Sequence, residues 1–389
     1  MPQLCPELTT KLASLKQLKQ QFDLELSSLP QTGKTEDLVL VREAKIKLNQ
    51  ALKELRKQIT LIEWQKFYAN SPQELTTVEK KINYHEIKTL EGHINSVRAL
   101  QTLTDGRIVS GGHDDTIKIW QLDRRGNYKN TQTLKGHTDS VLTLQVLPDS
   151  RIVSGSDDKT IKIWKSDSLG DYQNTQTLRG HADSVFILQV LPDSRIVSGS
   201  NDNTIKIWEL DKQNNYQITQ TLEGHTGPVW TLQVLPDGRI VSGDDSTIKI
   251  WELNSQNKYQ NTQTLKGHAN SVPTLQVLLD GRIVSGSSDK TIKIWQPDSQ
   301  GNYQNTQTLK GHNGPVWTLQ VLPDGRIVSG SFDSTIKIWQ PDSQGNYQNT
   351  QTLKGHTDSV SAIQVLPDGR IVSGSWDEAV KIWDGDKVD

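Results

Sequence analysis

The pair Gly-His recurs at His93, His137, His181, His225, His268, His312 and His356, at successive spacings of 44, 44, 44, 43, 44 and 44 residues. Each histidine is followed by a tryptophan: Trp120, Trp164, Trp208, Trp251, Trp295, Trp339 and Trp383. Self-similarity at a fixed period of this length is the signature of a repeat architecture, and it constrains the fold more than any single motif. Seven near-identical units fill the chain from residue 83 to its end.

Within a unit the pattern predicts strands. After His137, VLTLQVL is apolar enough for a buried inner strand, and PDS makes a turn. RIVSGS is the next strand, DDK the next turn, and TIKIW alternates around Ile161 and Ile163. SDSLGD turns again, and YQNTQTL is a polar, Thr-rich strand suited to an exposed outer edge. Four strands in such a unit make one blade of a β-propeller. The expected fold is all-β, a seven-bladed propeller.

The set Gly-His, Ser-Gly-x-x-Asp and Ile-Trp, recurring over residues 83–389, resembles the WD-repeat β-propellers. An Asp follows the Trp only at Asp384, where earlier units carry Gln121, Lys165 or Glu209. The resemblance implies a hydrogen-bonded tetrad of His, Ser, Asp and Trp inside each blade. By position these are His93, Ser110, Asp114 and Trp120, then His137, Ser154, Asp158 and Trp164, then His181, Ser198, Asp202 and Trp208. The fourth unit offers His225, Ser242, Asp245 and Trp251, and the fifth His268, Ser285, Asp289 and Trp295. His312, Ser329, Asp333 and Trp339 follow, and His356, Ser373, Asp377 and Trp383 complete the series. Such groups need one another once water is excluded. Ser, His and Asp also invite a hydrolase reading, but a nucleophilic triad is needed once, in a cleft with an oxyanion hole.

Two irregularities carry expectations. Unit four reads SGDDSTIKIW, one residue short, with Ser242 and Asp245 three apart. A tighter hairpin and the least regular tetrad are expected there. The last unit has no polar fourth strand after Trp383, yet NYHEIKTLEGH (83–93) aligns with NYKNTQTLKGH (127–137). The N-terminal segment is therefore expected to complete the last blade and clasp the ring.

Residues 1–82 share none of this pattern. Leu8, Leu12, Leu15, Phe22, Leu26 and Leu29 keep helical spacing, and Val41, Leu48, Leu52, Leu55, Ile59 and Ile62 form a second stripe beyond LPQTGK. These stripes predict a coiled-coil-like helical hairpin for assembly or docking, through self-association or a helical partner. It is loosely similar to the helical adaptor domains of bacterial conflict systems. Gly33-Lys34-Thr35 lacks the leading glycine and preceding strand of a phosphate-binding loop.

A net charge of −2 gives no basic footprint for nucleic acid, and no apolar run could span a bilayer. The lone Cys5 forms no intramolecular disulfide and no thiolate metal site. The expectation is a cytosolic protein without cofactor, metal, nucleic acid or membrane.

If the repeats are scaffold, function lies where they differ. The resemblance places two variable positions at one mouth of the channel. The first ring is Arg98, Leu142, Phe186, Trp230, Pro273, Trp317 and Ser361; the second is His113, Asp157, Asn201, Asp244, Ser288, Phe332 and Trp376. An aromatic arc of Phe186, Trp230, Trp317, Phe332 and Trp376, with a charged side at Arg98, His113 and Asp157, fits a protein or peptide partner. Near-identical arrays of this kind resemble those of cyanobacterial and fungal signalling or self-defence proteins. The expected function is a non-enzymatic interaction scaffold or adaptor. The alternative is an enzyme with its site in the mouth, for which the rings offer no paired carboxylates and no nucleophile with a base.

Overall fold

The computed structural model describes residues 83–386, apart from 104, 124–126, 367 and 368. The helical hairpin expected over 1–82 lies outside the described residues. Twenty-eight strands, β1–β28 in chain order, form seven antiparallel sheets of four among the described residues. The first blade runs β2 (Val97–Thr102), β3 (Ile108–Gly112), β4 (Ile117–Leu122) and β5 (Tyr128–Leu134), each paired with the next. The other units repeat that order. The third strand shows the expected alternation: Ile161 and Ile163 are buried and Lys162 half-buried.

The inner strands build a ring. These are β2, β6 (Val141–Val146), β10 (Val185–Val190), β14 (Thr231–Val234), β18 (Thr274–Val277), β22 (Val316–Val321) and β26 (Val360–Val365). Each touches its neighbour, and β26 returns to β2 around a channel lined by all seven. The core lies between blades: Val109, Ile117, Ile119 and Leu134 of the first pack on Val141, Leu144, Ile152 and Trp164 of the second. The Ser-Gly pair has a packing reason. A Cβ on Gly155 would lie 2.8 Å from Val185 Cγ1 of the next blade, so only glycine lets the sheets close to that distance.

In the last blade β26 pairs with β27 (Ile371–Ser375), β27 with β28 (Val380–Asp386), and β28 with β1 (Asn83–Leu90). The register sets Tyr84 opposite Gly385 and Leu90 opposite Val380.

Neighbouring blades are also tied at the rim, by a device the sequence did not announce. Gln132 Nε2 donates to Tyr172 O at 2.9 Å, and its Oε1 accepts from Tyr172 N at 2.9 Å. The same two-bond clamp joins Gln176 to Tyr216, Gln220 to Tyr259, Gln263 to Tyr303, Gln307 to Tyr347 and Gln351 to Tyr84. At each of these junctions an arginine stacks on the tyrosine ring, as Arg107 does on Tyr172 at 5.6 Å.

Candidate functional site

All seven tetrads are formed. His Nε2 lies 2.6–2.7 Å from Ser Oγ, and Trp Nε1 donates to the same Oγ at 2.7–2.8 Å. His Nδ1 meets an Asp oxygen at 2.7–2.9 Å in every blade. One proton arrangement satisfies the chain: the indole N–H donates to Ser, Ser donates to Nε2, and Nδ1–H donates to the carboxylate. The second carboxylate oxygen is held by the hairpin, as Asp158 Oδ1 accepts from Thr160 Oγ1 at 2.6 Å and Thr160 N at 2.9 Å.

Hydrogen bonding of this kind decides the ionisation of the acids. Burial pushes these carboxyls up, but the histidine, threonine and backbone donors outweigh it. Asp289 and Asp377 are held down to about 2, and the other tetrad acids lie well below the usual carboxylate range. The Ser–His–Asp geometry is that of a nucleophilic triad, yet every tetrad serine has no exposed surface and already accepts an indole N–H. Each tetrad joins strands of its own blade.

Unit four corrects the sequence reading. Asp244, not Asp245, is the tetrad acid: it meets His225 Nδ1 at 2.8 Å and accepts from Thr247 N at 2.7 Å. Asp244 is buried and forms no part of the mouth. The deletion removes a residue from the hairpin, so the turn closes early and only the first of the two acids still faces His225. The displaced Asp245 is exposed, and its Oδ1 accepts from Trp230 Nε1 at 3.1 Å. The tetrad itself keeps the distances of the others.

The first variable ring does line the channel: Arg98, Leu142, Phe186, Trp230, Pro273, Trp317 and Ser361 all face it. What aims five of them is a β-bulge. The inner strands shift register at Arg98, Leu142, Phe186, Trp317 and Ser361, between Val97/Ala99 and their equivalents. A bulged residue leaves the ladder and turns its side chain elsewhere, here into the channel. Trp230 and Pro273 immediately precede shorter strands, β14 and β18.

The aromatic residues of both rings stack into one arc. Phe186 lies flat on Trp230 (4.5 Å, 8°), Trp230 meets Trp317 edge-on at 6.1 Å, Trp317 stacks on Phe332 at 5.1 Å, and Phe332 meets Trp376 at 4.9 Å. All five are half-buried. Arg98 closes the arc, 5.1 Å over Trp317 and 5.9 Å over Trp376. Burial pushes the Arg98 guanidinium down to about 10, with Asp157 acting the other way. Burial, then Arg98, lowers the His113 imidazole, opposed by Asp157, Asp139 and Asp115. Arg98, His113 and Asp157 thus form the polar side.

The WD domain, G-beta repeat family matches residues 84–121, 128–165, 172–209, 216–252, 259–296, 303–340 and 347–384. The chain belongs to the WD-repeat family. Among solved structures, the WD40 beta propeller domain of Doa1 is similar at 26% identity with a TM-score of 0.66, over 78% of this chain and 97% of that one. Comparison with curated proteins finds no match. As a WD-repeat propeller, the chain has the fold of a family whose members typically serve as interaction scaffolds. No cluster of three or more metal-ligating side chains exists among the described residues.

Proposed function

We propose that this WD-repeat propeller is a non-enzymatic scaffold that binds a protein or peptide segment across its channel mouth. The observation that carries the reading is the arc Phe186–Trp230–Trp317–Phe332–Trp376. It is continuous in space, yet it is assembled only from positions at which the units differ. Half-buried indoles in contact bury large area at little entropic loss and dominate interface energies. The stripes of residues 1–82 support an extension of this proposal, a helical hairpin that multimerises the platform or docks a helical partner.

The test replaces Trp230 and Trp317 with Leu and Ser, residues found at the same position in other units. The fold should be unchanged by circular dichroism and melting. Affinity for a partner isolated on the wild-type protein should fall at least about tenfold, or about 1.4 kcal/mol. Gln173→Ala on the exposed outer strand should leave binding as it was. Undiminished binding by the double variant would move the site away from the mouth.

A further inference from the structure

The guanidinium of Arg98 makes no hydrogen bond and no ion pair among the described residues, although it stands against the aromatic arc. Its charge rests instead on two indole rings, those of Trp317 and Trp376. A guanidinium held by ring contacts and not by acceptors keeps its N–H fork for a ligand, and that fork matches a planar carboxylate with two parallel bonds. Asp157 is near enough to act on Arg98 through space but does not pair with it. Beside it, the buried indole N–H of Trp376 also has no acceptor among the described residues. That indole N–H is closed off from an outside ligand, so the donor at the channel end that asks for an acceptor is the Arg98 guanidinium.

We propose that the mouth is a carboxylate receptor: Arg98 takes the side chain of a Glu or Asp in an extended peptide, edge-on and bidentate, while the aromatic arc covers that peptide's apolar neighbours. This rests on the mouth being a peptide site and names the chemistry it selects. A cation is disfavoured because Arg98 already occupies the ring faces that would hold one. A doubly charged phosphate is disfavoured because the polar side carries Asp157, with Asp115 and Asp139 beyond it around His113. A single negative charge in reach of Arg98 balances the one cation and meets the least of that repulsion.

The experiment uses the full chain and four blocked peptides, Leu-X-Leu-Leu with X as Glu, Gln, phosphoserine or Lys. Binding is read by the fluorescence of the mouth indoles and by calorimetry. The Glu peptide should bind at least about tenfold more tightly than the Gln peptide, a gap that narrows as salt rises. Arg98→Leu, which places the residue of unit two at the bulge, should erase the gap, and Arg98→Lys should restore part of it. Equal binding of Glu and Gln, a gap that survives Arg98→Leu, tighter binding of phosphoserine or Lys, or no binding of any peptide would each overturn the carboxylate receptor. If Glu and Gln bind equally but Trp230→Leu with Trp317→Ser weakens both, the peptide mouth stands and only its charge selectivity falls. If that double variant also holds its isolated partner undiminished, both readings fall.

Discussion

Near the channel, one glycine-on-valine contact recurs at all seven blade junctions; at the rim, one junction differs from the other six. At the channel, a Cβ on Gly374 would lie 2.7 Å from Val97 Cγ1, the same contact that Gly155 makes with Val185. Ser361 Oγ also bonds Val97 O across the junction of the last blade with the first. At the rim, however, Lys88 occupies the clamp position, opposite Ile382 as Gln176 is opposite Ile163. Among the described residues its Nζ reaches only Asn127 Oδ1, at 3.5 Å, and Tyr128 is half-buried where the clamped tyrosines are 3–7% exposed. An ammonium can donate but cannot accept, so Lys88 cannot satisfy a backbone N–H and C=O together as the glutamine amide does. The ring is uniform where packing holds it and graded where hydrogen bonds do.

Acid tests what all seven blades share. The tetrad carboxyls have folded pKa values below their ordinary 3.8, so the stability they contribute is present above about pH 4 and is lost as pH falls toward 2. His268, lowered chiefly by burial against the opposing Asp289 bond, works in the same direction below its ordinary 6.5. The expected outcome of an acid titration followed by circular dichroism is a single steep transition below pH 4. A separate early step would show that the blades at the seam, the last and the first, let go before the others.

Truncation attacks the seam itself. Removing residues 1–92 takes β1 out of the last blade, with its ladder to β28 and the burial of Tyr84 and Leu90. Relative to removal of residues 1–82, this should lower stability by several kcal/mol, measured by urea unfolding. Equal midpoints would mean that β1 clasps nothing.

Serine substitutions ask whether a tetrad feels the seam. Ser154→Ala in the second blade and Ser373→Ala in the last each strand a histidine and an indole N–H, and each should lose about 1–3 kcal/mol. Matching losses in thermal unfolding would show that the blade interior is indifferent to the seam. The smallest effects belong to the rim. Gln307→Ala should lose about 1 kcal/mol by opening a clamp, and Lys88→Gln should gain up to about 1 kcal/mol by supplying the missing one. Hydrogen exchange at the Tyr128 amide should slow in Lys88→Gln; an unchanged rate would show that the seam is not short of a clamp.

The repeat made most of this legible. The strands were readable because Ile161, Ile163 and Trp164 recur with their turns in every unit, and the tetrads because His, Ser, Asp and Trp keep fixed offsets. Asp244 was misread because counting back from Trp251 reaches Asp245, whereas the bond is measured across the hairpin from His225. The bulges were invisible, since Arg98, Leu142, Phe186, Trp317 and Ser361 have nothing in common but their place. The glutamine clamp was hidden by its own regularity, and the one signal that could have exposed it was the lysine that breaks it.

The hairpins of units two and six place an aspartate, Asp157, and a phenylalanine, Phe332, on the same hydrogen-bonded frame. In both, the acid that follows accepts its threonine hydroxyl at 2.6 Å and its histidine within 2.9 Å. Opposite chemistries are thus displayed on one mounting. A propeller built this way can change what its mouth displays one substitution at a time, because the displayed side chains and the hydrogen-bonded frame are carried by different residues.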